Sequence, residues 1–109
     1  MEKKEIKTKI YKIKESDSLA EYELEDIEKL GAEWLVYYYE YGNYEGSGFA
    51  VWKVGKKLYY HDMGHCSCYG PTDEMKNIMP MDDIESIEKF AKNYNFGAEV
   101  VKFIRDKKL

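Results

Sequence analysis

Hydrophobic and polar positions change period several times along this chain, and each change marks an element. Residues 5–13, EIKTKIYKI, put Ile6, Thr8 and Ile10 on one side at period two, with Lys7, Lys9 and Tyr11 on the other. The alternation reads as a strand with a basic outer face. Ile6, Ile10 and Ile13 also fit helical spacing, but the β-branched content favours the strand. Ser18-x-x-Glu21 then has the spacing of a capping box. Ala20, Leu24, Ile27 and Leu30 recur at helical intervals, and Gly31 offers a left-handed stop. An amphipathic helix is expected over 19–30, with Glu21, Glu25, Asp26 and Glu28 on an acidic outer face. Its acids have little internal compensation, so it must lean on packing.

Residues 33–41, EWLVYYYEY, 48–54, GFAVWKV, and 57–63, KLYYHDM, are dense in β-formers. Gly55-Lys56 fits a tight turn between the last two. The earlier connection, 42–48, is longer and Gly-rich, and reads as a bulged hairpin. Three antiparallel strands in a meander follow. In the first, Trp34, Val36, Tyr38 and Glu40 share one face, and Leu35, Tyr37, Tyr39 and Tyr41 the other. Neither face is polar. One covers the core; the other is either a tyrosine-rich surface or packs under helices.

Residues 64–81 form an irregular connection, long enough to suggest function or partial structure. Asp82-x-x-Glu85 resembles a second capping box, with Asp82 as the cap. Ile84, Ile87, Phe90 or Ala91, and Tyr94 then share a helical face, which predicts a helix over 82–93. After Asn95-Phe96-Gly97 a second helix covers about 98–107, lined by Val100, Val101, Phe103 and Ile104. Arg105, Lys107 and Lys108 at its end suit the macrodipole. The expected fold is α+β in one domain spanning 1–109. It has a small antiparallel β-meander of three to four strands, with one N-terminal and two C-terminal helices.

Composition adds one unusual number. The 109 residues include 11 Tyr against 4 Phe and 2 Trp, so aromatic bodies must help build the core and many phenols need water or a partner. Charge is segregated beneath a net −4. Residues 1–14 carry six Lys and two Glu, for +4, and residues 15–33 carry eight acids and one Lys, for −7. Residues 63–88 are −5 and residues 89–109 are +4. A nucleic-acid binder needs a dominant basic face, which this pattern lacks. An acidic patch facing a basic protein partner fits better. No apolar run approaches the ~20 residues of a membrane span, and the first residues, MEKKE, lack the apolar stretch of a secretory signal. Cys66 and Cys68 are too close for an ordinary disulfide. A reducing cytoplasm is therefore the expected compartment.

The segment 64–71, GHCSCYGP, holds the most chemistry. With His61 it places four zinc-type ligands close together: His61, His65, Cys66 and Cys68. The softness suits zinc, but neighbouring His65 and Cys66 point apart in an extended chain and no second knuckle exists. A homodimer pooling ligands across an interface is one form such a site could take. C-x-C is not the C-x-x-C of thioredoxin-like enzymes. Gly46-x-Gly48 lacks the remaining parts of a phosphate loop. The plainer reading is that these cysteines fill core space beneath the loop, with no catalytic residue and no cofactor. Eight tyrosines lie between 37 and 69, and Tyr is favoured at protein interfaces. Tyr37, Tyr39, Tyr41 and Tyr44 are the candidate contact residues, beside Glu21, Glu25, Asp26 and Glu28.

The combination YYYEYGNYEGSGFAVWK, Gly55-Lys56 and GHCSCYG resembles small proteins encoded in bacteriophages and prophages. The matching positions are Glu45 to Gly48, Gly55-Lys56 and Gly64 to Gly70, within residues 35–71. The resemblance carries over no catalytic residue. It implies a phage accessory protein, a class whose small members often antagonise host defence. The expectation is a non-enzymatic, anti-CRISPR-like inhibitor in the host cytoplasm. It would bind a host protein or ribonucleoprotein without contacting nucleic acid directly or entering a membrane. The alternative is a thiol or metal-site protein using the His-Cys-x-Cys loop. A structural virion or nucleic-acid accessory is a third reading, against which the acidic balance speaks.

Overall fold

A computed structural model describes residues 8–13, 21–42, 45–63, 75–94 and 96–109, with residues 21–23, 41, 42, 45 and 46 described by backbone alone. The elements are β1 (Lys9–Lys12), α1 (Glu21–Lys29), β2 (Trp34–Gly42), β3 (Glu45–Val54), β4 (Lys57–Asp62), α2 (Ile84–Ala91) and α3 (Gly97–Lys107). The architecture is α+β, with one N-terminal and two C-terminal helices on a four-stranded sheet of order β1-β2-β3-β4. β2, β3 and β4 form the antiparallel meander. β1 joins it in parallel with β2, Lys9 opposite Trp34 and Lys12 opposite Tyr37. The sheet is thus mixed rather than purely antiparallel. A parallel neighbour needs a crossover, and α1 supplies it.

That crossover decides the question of the two β2 faces. Ile27 and Leu30 pack α1 against Leu35, Tyr37, Tyr39, Ala50, Trp52 and Met63. On the other side, Ile87 and Ala91 of α2 and Val100, Val101 and Ile104 of α3 cover Trp34, Val36, Phe49 and Val51. Both faces are buried, which is why β2 shows no polar side. β1 follows suit: Ile10 joins the α1 layer, while Tyr11 joins the α2–α3 layer, its ring centroid 5.8 Å from that of Phe103. The expected basic outer face of β1 is therefore largely covered, although Lys9 stays exposed with its Nζ 5.4 Å from the Tyr11 ring centroid. Buried Thr8 donates its hydroxyl to the Ala32 carbonyl at 2.8 Å, tying the start of β1 to the approach of β2.

The first hairpin differs from expectation. The Glu45 to Gly48 segment belongs to β3, with Glu45 opposite Gly42 and Gly48 opposite Tyr39. Gly48 is buried, and a Cβ there would lie under 3.0 Å from the Tyr38 carbonyl oxygen and 3.2 Å from Met63 Cβ. Gly48 signals close strand approach rather than a turn. The second hairpin turns at Gly55, φ +60, as expected.

The helix ends show one shift. Gly31, φ +71, follows α1 as predicted, whereas the capping serine expected at Ser18 lies outside the described residues. The cap of α2 is Asp83, not Asp82: its carboxylate accepts from the Ser86 amide at 2.9 Å and the Ser86 hydroxyl at 2.8 Å. Met81 exchanges two backbone hydrogen bonds with Leu58, and Asp82 pairs with Lys57, so the helix begins one residue later. Between α2 and α3, Phe96 takes the left-handed conformation at φ 66 and stacks on Tyr38 with centroids 4.1 Å apart.

Candidate functional site

The acidic side of α1 forms because its opposite side is anchored. Ile27 is fully buried and Leu30 is 7% exposed, and the acids around them reach water to different degrees. Glu25 is exposed, and Asp26 and Glu28 are half-buried. Glu21 is the first residue of the helix, where a carboxylate suits the macrodipole; its side chain lies outside the described residues. Glu21 and Glu25 stand four apart, a spacing at which like charges destabilise a helix by about 0.2–0.5 kcal/mol. Packing of Ile27 and Leu30 holds the helix despite that repulsion. A cationic partner would relieve it.

The tyrosines fall into three groups. Tyr37 and Tyr39 are only 4% and 3% exposed, in the layer beneath α1. They are core residues, and the expectation that they form a contact surface is corrected on that ground. The side chain of Tyr41 and all of Tyr44 lie outside the described residues. Tyr38, Tyr59 and Tyr60 are half-buried in ring stacks: Tyr38 on Phe96, Tyr59 on Trp52 at 6.2 Å, and Tyr60 on Phe90 at 5.7 Å. Burial, followed by the neighbouring Tyr94, pushes the Tyr60 phenol above its usual value.

Of the four metal-type ligands only His61 is described. It is half-buried, with Nδ1 2.6 Å from the Asp62 carbonyl oxygen and 3.3 Å from Asp62 Oδ1. His65, Cys66 and Cys68 lie outside the described residues. Among the described residues no three His, Cys, Asp or Glu side chains gather where they could share a metal ion.

Two surface features had no signal in the hydrophobic pattern. Ile78 and Met79 are 61% and 65% exposed, in the segment leading to α2. That segment has no period and its partners come from distant elements. The other is a groove of about 310 Å³ between α2 and α3, floored by Ala91, Ala98 and Val101. The helical face predicted for α2 offered Phe90 or Ala91 as the inward residue. Ala91 is buried, and Phe90 and Tyr94 remain exposed, Phe90 stacking on Tyr60 and Tyr94 meeting it edge-on. Among the described residues no helix is long and apolar enough to cross a membrane. Compared with protein-family models, curated proteins and solved structures, the chain finds no match.

Proposed function

We propose that this protein acts by binding another protein, as a phage-encoded inhibitor of a host defence factor such as a CRISPR effector, in the cytoplasm of the infected or lysogenic cell. The observation that supports the reading is the acidic set on α1, exposed Glu25 with half-buried Asp26 and Glu28, held over an apolar anchor at Ile27 and Leu30. A rigid acidic helix of this kind complements a basic surface, such as one built to hold nucleic acid. Tyr37 and Tyr39 contribute by supporting the sheet beneath the helix rather than by touching the partner. The phage and anti-defence parts rest on the resemblance over residues 35–71.

The test is capture of one host protein or ribonucleoprotein from lysate, followed by direct binding with purified components. Glu25→Lys with Glu28→Lys should lower affinity at least tenfold with the fold intact, and rising salt should weaken the wild-type complex. Retention of full affinity by the charge-reversed protein would refute the assignment of the surface. Retention of no host protein would refute the reading as a whole.

A further inference from the structure

We propose that Ile78 and Met79 form a rigid apolar finger that seats in the α2–α3 groove of a second copy of this chain. The inference is independent of the acidic face of α1. Exposed apolar side chains are common when scattered. Here two adjacent ones are held out by anchors on both sides. Before them, Asn77 accepts a hydrogen bond from Trp52 Nε1 at 2.7 Å and donates through Nδ2 to the Leu30 carbonyl at 2.7 Å. After them, Met81 exchanges backbone hydrogen bonds with Leu58 at 2.8 and 2.9 Å. Between these anchors Met79 has φ 59, a left-handed conformation that is unfavourable for a residue with a Cβ. Pro80 narrows the choices of Met79 further. Backbone of this kind persists only where the surroundings over-determine it, and such sites cluster where presentation matters.

The groove matches in size and in charge. Ala91, Ala98 and Val101 leave an apolar floor under about 310 Å³ of space, room for these two side chains. Gly97 lets the start of α3 approach the end of α2 closely beside the groove, since a Cβ there would collide with the Ala91 carbonyl. The rim carries Lys92, Lys102 and Arg105 against Glu88 and Asp106, and Arg105 lies 3.3 Å from Glu88. In sequence the finger is flanked by Lys76 before it and by Asp82, Asp83 and Glu85 after it, a net −2, against a groove rim of net +1. The unbranched, polarizable side chain of Met79 adapts to an imperfect slot. Finger and groove are different surfaces, so the contact is heterologous. Its small area makes it weak and concentration-dependent.

Sedimentation velocity on the full chain, from about 10 μM to about 1 mM, tests this. The mean mass of the wild type should rise with concentration. Ile78→Asp with Met79→Asp removes the finger, and Ala98→Glu blocks the groove; each should reduce association at least tenfold. All three positions are exposed, and unchanged circular dichroism will show that the variants fold. Mixing the two variants should restore a species of two chains and no larger, because the mixture contains only one intact finger–groove pair. A wild type that stays monomeric throughout, as it would if the finger served a different macromolecule, overturns the proposal. So does association that survives either variant, or a mixture that fails to associate.

Discussion

Gly48→Ala adds one methyl group to the middle of the sheet, and its cost follows from what that methyl meets. Gly48 is buried in β3 opposite Tyr39. The new Cβ would lie under 3.0 Å from the Tyr38 carbonyl oxygen, 3.0 Å from Tyr39 Cα and 3.2 Å from Met63 Cβ. Two of these neighbours are backbone atoms of β2, held to β3 by the ladder hydrogen bonds of the hairpin, so they cannot turn away as a flexible side chain would. Overpacking by a methylene typically costs 1–3 kcal/mol, and a rigid neighbour places this site at about 3. Reduced freedom of the unfolded chain returns about 0.4–1 kcal/mol. The net loss is roughly 2–2.5 kcal/mol, or about 10 °C in Tm for a domain of this size. Gly55→Ala is the control. There φ is +60 but nothing lies within 4 Å of the added Cβ, so the cost is left-handed strain of about 1–2 kcal/mol less the same unfolded-state gain. Thermal and urea unfolding of both variants measure the difference. If Gly48→Ala lowers Tm by less than about 3 °C, or no more than Gly55→Ala, then residues 45–48 are not held in the central ladder and the strand assignment is wrong.

Asn77→Ala deprives buried Trp52 of its indole acceptor and the Leu30 carbonyl of a donor; the expected loss is about 2 kcal/mol in urea unfolding followed by Trp fluorescence, and a change under about 0.5 would refute the anchoring role of Asn77. Asp83 titrates below its ordinary value of 3.8 because the Ser86 amide and hydroxyl donate to it. Its contribution is therefore complete above the unfolded-state value and is lost as pH falls through the lowered folded value. Asp83→Ala should lower Tm at pH 7, with the gap to wild type closing in strong acid; a gap independent of pH would contradict the cap. Phe96→Ala removes the ring stacked on Tyr38 while leaving a Cβ at φ 66, and should cost about 1 kcal/mol or more. Phe96→Gly should recover part of that loss by relieving the left-handed strain, and equal stability of the two variants would count against the strain argument.

Local chemistry alone determined much of this chain. The period of Leu24, Ile27 and Leu30 placed α1, Gly31 ended it, and Gly55-Lys56 turned the second hairpin, because helical spacing and left-handed glycines act within a few residues. The outward side of α1 was legible at Glu25, whereas Asp26 and Glu28 are half-buried. The tertiary structure decided what depends on distant partners. The parallel placement of β1 brought α1 over one face of the sheet, and this turned Tyr37 and Tyr39 from contact candidates into core. Residues 45–48 read as a turn because glycine marks both turns and close approaches; only the neighbouring backbone of Tyr38 and Tyr39 distinguishes the two. Asp83 displaced Asp82 as the cap because Leu58, more than twenty positions earlier, holds Met81 in place. Ile78 and Met79, with no period to betray them, were set in water by Trp52, Leu30 and Leu58 acting together. An alternating pattern states that a side chain faces one way, but which element lies on that side is a property of the packed chain.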